Sequence, residues 1–450
     1  MDVPSSAVFL NEWNEALDGI LMDLDPSISL LGFENAGNTC YLDSLLFSMF
    51  GGTTVFDPLV TSFAEVKDSE SAALANLRTS LRMVINRLRA GKLVKVPYVH
   101  RLMNCLIAAG WFGDAAKKKY NQEDVSELYL FLMDKLGAPY LPFQQAFFHG
   151  AMDDQDDLRI VTSRLLELAM PEPLKESDSS KPYSDAVHLE DLLVDYFFSS
   201  QVNVHRHPEV LGDSDEKTRT VDAWRAWRML PFFSSQNEIG ESVTVKEYEF
   251  HHRMMLPMVL KRYVNTETSV HRIDRQVLIP TQIPFGNFIL PPESNSDRLF
   301  ERISSYQLSL RSIISHIGTS TRSGHYMCHT HRHEATQAEP PSSEPRPADV
   351  WYQFDDLRRV PDAKSNTASP PEMAFERTVK LETVEAVTQM LELTSGTAYF
   401  LLYELTQGDI NDQKLESDEV AEWSDSQMAL HLQGMEYKKT SKKKRACVVM

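Results

Sequence analysis

The feature that most constrains this chain is one cysteine placed where a loop gives way to a helix. Cys40 lies in Leu30-Leu31-Gly32-Phe33-Glu34-Asn35-Ala36-Gly37-Asn38-Thr39-Cys40-Tyr41-Leu42-Asp43-Ser44. After it, Leu42, Leu45, Leu46, Met49 and Phe50 recur at helical spacing and mark one apolar face. Asn38 and Thr39 are cap-type residues, so the pattern predicts Cys40 in the first helical turn. Unpaired backbone N–H groups and the positive end of the helix dipole favour thiolate over thiol there. A small buried core cysteine would fit the same segment, so the choice between the two depends on what else the chain supplies.

A nucleophilic thiol needs a base and a group to orient that base. Candidates lie in Ser323-Gly324-His325-Tyr326-Met327-Cys328 and Trp351-Tyr352-Gln353-Phe354-Asp355-Asp356. A histidine on one strand and a carboxylate at the end of the next would set imidazole beside acid. Asp355 would then hold the tautomer while His325 deprotonates Cys40.

These segments resemble the Cys and His boxes of the ubiquitin-specific proteases. Asn121-Gln122-Glu123-Asp124-Val125-Ser126 resembles the family's Gln-rich box, Leu256 to Tyr263 its leucine-rich strand, and Ala398 to Glu404 its closing strand. The matches come in family order over about residues 30 to 405. The Cys-Tyr-Leu-Asp-Ser run is most similar to the cylindromatosis-type deubiquitinase. The resemblance implies an α+β, papain-like fold with a helical thumb, a β-rich palm and a fingers region. It aligns Cys40 with the nucleophile, His325 with the base, Asp355 with the orienting acid and Asn35 with the oxyanion donor. Gln122 and Asp124 align with residues that hold the ubiquitin tail, whose arginines pair well with carboxylates. Gly324 and Tyr326 are expected to shape a slot for its Gly-Gly end. Two departures stand out. Asp43 replaces the usual Asn, and its charge would raise the thiol pKa if it points inward. The fingers' Cys-x-x-Cys pairs are absent, with only Cys40, Cys105, Cys328 and Cys447 in the chain. No structural zinc and no cofactor are therefore expected. His329, His331 and His333 follow His325 at alternate positions and read as a solvated strand end.

A net charge of −19 argues against nucleic acid and suits a partner with a basic face, such as ubiquitin. Four scattered cysteines imply a reducing, cytoplasmic setting. The start, Met1-Asp2-Val3-Pro4, lacks signal-peptide character, and no apolar run reaches the ~20 residues of a membrane span. Helices are expected over 8–24, 71–90 and the Gln-rich box, and another over 187–198. Residues 30–165 should form the helical part. Strands should dominate from about 201 to 403, with loops at 171–184, around Pro340 to Pro347 and over 361–371.

Lys438, Lys439, Lys442, Lys443, Lys444 and Arg445 precede Cys447-Val448-Val449-Met450, a C-terminal Cys-aliphatic-aliphatic-X box that predicts farnesylation of Cys447. One lipid chain binds membranes marginally, and the basic cluster supplies the second signal, at ~1 kcal/mol per residue near an anionic surface. The expected layout is an N-terminal segment over 1–29, a catalytic domain over 30–406, an acidic linker over 407–436 and a lipidated tail over 437–450. The whole reads as a deubiquitinase tethered to a cytosolic membrane face. The alternatives are an inactive ubiquitin-binding scaffold or a protease for a ubiquitin-like modifier.

Overall fold

The computed structural model describes residues 3–62, 67–111, 121–150, 157–173, 185–198, 200–206, 219–229, 235–236, 242–243, 254–265, 270–289, 306–320, 323–332, 350–357 and 377–407. All belong to the first of two units, Met1–Gln407. The expected loops over 174–184, 340–347 and 361–371, His333 and everything after Gln407 lie outside the described residues.

Six helices come first: α1 Val3–Leu17, α2 Cys40–Phe50, α3 Asp57–Thr61, α4 Ser69–Arg89, α5 Val96–Ala108 and α6 Val125–Lys135. The longest, α4, starts on a reciprocal cap. The Asp68 carboxylate accepts the Ser71 N–H while the Ser71 hydroxyl takes the Asp68 N–H. It ends before Gly91, whose φ of 64° favours glycine and where a Cβ would lie 2.9 Å from the Ser29 carbonyl. The first helix begins and ends earlier than the 8–24 pattern suggests. The helical part also stops at α6, because 141–148 and 158–163 are already strands.

Strand alternation then takes over. The strands Leu158–Ser163, Leu141–Phe148, Arg219–Met229 and Ser200–Arg206 lie side by side, all antiparallel. The main sheet has eight strands. Seven run in the order Thr378–Leu381, Val350–Phe354, Ser323–Arg332, Tyr306–Ser320, Ala398–Gln407, Met254–Lys261 and Leu166–Ala169. Only the last pair is parallel.

Both faces of this sheet are covered, and the side chains sort by period two. Phe400, Leu402, Met255 and Val259 join the helices in one core. Leu401, Tyr403, Leu256, Met258 and Leu260 face a second core with the helix α7, Leu189–Phe198. The resembling strand runs Leu256–Tyr263 thus feed both cores. Arg262, 1% exposed, ties the strand down by donating to the carbonyls of Ala398, Ser395, Ile273 and Arg275.

α2 is buried around its whole circumference, Asp43, Ser44 and Ser48 included. The sequence pattern marks one apolar face, but the helix runs through the middle of the domain. At its far end the Arg89 guanidinium donates to Phe50 and Thr53 carbonyls and pairs with Asp57 at 2.7 Å.

Candidate active site

Cys40 is the first residue of α2, as its spacing predicts. Gly37 and Asn38 turn the chain into the helix with φ of 97° and 59°. Thr39 precedes the helix but does not cap it with its side chain. Its hydroxyl accepts the Ala36 N–H at 2.9 Å and donates to Asp43 Oδ2 at 2.8 Å. Asn35 is fixed from both ends of its amide: Oδ1 accepts the Gly37 N–H and Nδ2 donates to Asp356 Oδ2, each at 2.8 Å. One amide N–H is left over.

The opposing wall is the hairpin Ser323–Arg332 with Val350–Phe354. Phe354 locks it to the cysteine segment. Its ring stacks on Phe47 of α2 at 4.6 Å, and a Cβ at Gly32 would fall 2.3 Å from it. Gly324, with φ of +130°, passes so close to the neighbouring strand that a Cβ would lie 2.2 Å from the Ile317 carbonyl. His325 follows directly, and its Nε2 meets Asp355 Oδ1 at 2.9 Å. The Leu357 N–H also donates to that oxygen. The next backbone N–H, of Tyr326, donates to the Cys40 sulfur. The structure therefore brings Cys40, His325, Asp355 and Asn35 into one place.

Adjacent acids part company here because strand residues alternate. Asp356 continues the inward series of Tyr352 and Phe354, its side chain fully buried, whereas Asp355 keeps 21% of its side chain exposed. Sequence reasoning missed Asp356. The doublet at a strand end was the signal, since two neighbouring acids cannot face the same way.

The expectation of a resting thiolate is overturned. Cys40 is 3% exposed, and burial pushes its thiol up to about 12. The Tyr326 N–H pulls the other way, and the Asp356 and Asp43 carboxyls add to the effect of burial. Asp43 does point inward. A helix start alone does not make a thiolate when low dielectric penalises the charge.

The remaining candidates are engaged within the protein. Asp124 caps α6 by accepting the Ser126 N–H at 2.7 Å and takes the Tyr399 hydroxyl at 2.6 Å. Gln122 reaches His316 Nε2 at 3.3 Å, and the other ring nitrogen meets the Tyr263 hydroxyl. Burial holds His316 down to about 4, so it is neutral near pH 7. Tyr326 is fully buried beside it, with rings 4.2 Å apart, and backs the histidine strand from within. His329 and His331 are each 6% exposed, which corrects the solvated strand end. His331 accepts from Arg311 at 2.9 Å. Among the described residues, one group of metal-ligand type converges: His325, Asp355 and Asp356, within 4.8 Å. The His325–Asp355 hydrogen bond already accounts for it.

The sequence matches the family model described as ubiquitin carboxyl-terminal hydrolase over residues 31–403. The chain belongs to the ubiquitin carboxyl-terminal hydrolase family. It is a cysteine-type ubiquitin hydrolase with a papain-like fold. This hydrolase is similar to the solved SAGA Ubp8/Sgf11/Sus1/Sgf73 DUB module bound to ubiquitin aldehyde. The TM-score is 0.50 at 15% identity, covering 91% of this chain and 77% of that one, a likeness of fold. No curated protein matches the hydrolase in sequence.

Proposed function

We propose that this hydrolase cleaves the peptide or isopeptide bond after the C-terminal glycine of ubiquitin, with Cys40 as nucleophile. The observation that carries the reading is the 2.9 Å His325–Asp355 bond on a strand whose next N–H meets the Cys40 sulfur. The ubiquitin aldehyde bound to the structural relative supports the substrate. Because Cys40 rests as a thiol, His325 takes its proton as the sulfur attacks the scissile carbonyl. The spare N–H of Asn35 receives the developing oxyanion. His325 then gives the proton to the leaving amine, and water hydrolyses the thioester. Gly324 lies on the tail-binding wall, and Gln122, Asp124 and Tyr326 support that wall from behind. The Cys-Tyr-Leu-Asp-Ser run supports a place near the cylindromatosis-type enzymes. A ubiquitin probe with a C-terminal electrophile should label wild type and not Cys40→Ala, whose thermal unfolding stays unchanged. Labelling of pure Cys40→Ala would end the assignment.

The tail carries the second half of the proposal. A farnesyl group on Cys447, with Lys442, Lys443, Lys444 and Arg445, holds the catalytic domain of 30–406 on an anionic cytosolic membrane face through the 407–436 linker. The terminal box and its flanking lysines support this. Cys447→Ser should shift the protein from membrane to soluble fractions without changing probe labelling. An unmodified C-terminal peptide by mass spectrometry from eukaryotic cells would refute it.

A further inference from the structure

Two acids meet beneath the nucleophile. Asp43, on the first turn of α2, is 0% exposed, and the Asp356 side chain is equally buried. The two carboxyls lie within hydrogen-bonding reach of each other. Each has one oxygen served by a neighbour: Thr39 donates to Asp43 Oδ2 and Asn35 to Asp356 Oδ2. Each also has a buried Oδ1 with no hydrogen-bond donor. His325 Nε2 stands 3.9 Å from Asp356 Oδ1, too far to serve it.

The surroundings offer little to offset two charges. On α2, Cys40 and Tyr41 face the pair. From the hairpin come His325, Cys328 and Asp355. The cation felt by Asp43 is Arg377, which also faces Glu34 at 3.9 Å. Two buried carboxylates in contact cannot both ionise without a large penalty. A proton between them supplies the missing donor.

We propose that Asp43 and Asp356 share one proton, donated by Asp43, and that this acid–carboxylate pair positions the Asn35 amide beside Cys40. Burial and mutual repulsion raise both acids, Asp43 well above its ordinary value. Asp356 accepts from the Asn35 amide and has the His325 ring 3.9 Å away, whereas Asp43, 0% exposed, is served by the neutral Thr39 hydroxyl, which places the proton on Asp43. Asp356 is then a carboxylate that accepts from Asp43 on one side and Asn35 on the other. The pair also presents one negative charge to the Cys40 thiol instead of two. Asp43 and Asp356 are positioning residues.

The inference rests on the proposed roles of Cys40 and Asn35, and the test separates the two. Infrared difference spectra of the full chain at pH 7, wild type minus Asp43→Asn, should show a protonated-carboxyl stretch that the variant lacks. Turnover of a ubiquitin-tail amide should fall about 10²-fold in kcat with little change in KM for Asp43→Ala, as expected for a misplaced catalytic group. Asp43→Asn, a permanent neutral donor, should restore most of that loss. A missing carboxyl band, or an Asn variant as impaired as the Ala variant, overturns the shared proton. If no form turns over the substrate, the functional reading fails while the infrared band still decides the pair. Should Asp43→Ala unfold, the infrared comparison and the kcat of Asp43→Asn against wild type decide it.

Discussion

α4 and α2 both bury polar side chains in the helical core, but α4 satisfies three arginines completely while α2 leaves acceptor atoms bare. Every guanidinium nitrogen of Arg82, Arg87 and Arg89 has an acceptor, drawn from backbone carbonyls, Thr79, Tyr98, Glu12 and Asp57. On α2, Asp43 Oδ1, Ser44 Oγ and Ser48 Oγ have none. Buried polar groups cost free energy unless paired. The arginines hold chain segments together, whereas the bare atoms of α2 sit along the helix that carries the nucleophile. Ser80 Oγ on α4 is bare as well, so what sets α2 apart from α4 is a bare, buried carboxyl oxygen: paired charges mark where this molecule keeps its shape, and an unpaired acid oxygen marks where a proton matters.

The sharpest way to break the contrast is to empty one side of it. Arg89→Met strands the Asp57 carboxylate and three carbonyls, and should cost about 3–5 kcal/mol in urea unfolding. Activity per folded molecule at low temperature should hold. A loss of activity with no loss of stability would make Arg89 part of the chemistry. Asn35→Ala tests the other side. It should lower kcat by about 10²–10³, about 3–4 kcal/mol, with a small change in KM and in the unfolding midpoint. An unchanged kcat would reduce Asn35 to a turn former.

The smallest expected effect lies on the histidine strand. Burial depresses His329 to about 4, and its Nδ1 has no partner. A depressed base adds stability that is whole above its unfolded value near 6.5 and lost as pH falls through 4. Its share is on the order of 3 kcal/mol. His316 acts in the same direction. Urea midpoints between pH 8 and pH 4 should fall on acidification, and less steeply in His329→Gln. Parallel curves for the two proteins would remove His329 from the account.

Much of the site was legible because its chemistry demands residue types at fixed places. Cys40 at a helix start, His325 on a strand and Asp355 at the end of the next are all where the sequence put them. The α4 boundaries and Gly91 were equally readable, since caps are local. What stayed hidden depends on tertiary burial. Helical spacing cannot tell a helix covered on one face from one covered on all, so the inward turn of Asp43 and the raised Cys40 thiol needed the fold. Arg89 and His329 look like surface residues by type and are not. Helix α5 was overlooked although Tyr98, Val99, Leu102, Met103, Cys105 and Leu106 keep helical spacing, and the strand Thr378–Leu381 escaped notice because four residues are too few for a period.

The hairpin that carries His325 and Asp355 has a consequence for how such a chain can change. Its register pairs Cys328 with Phe354 and Arg332 with Val350, so base and acid end up as diagonal neighbours across a ladder. Their meeting is set at the far end of the two strands from the connection between Arg332 and Val350. That connection can therefore lengthen, shorten or accept a foreign domain without moving either side chain. Natural selection, or an engineer grafting a ligand-sensing module, can rewrite that span while the proton path stays as it is.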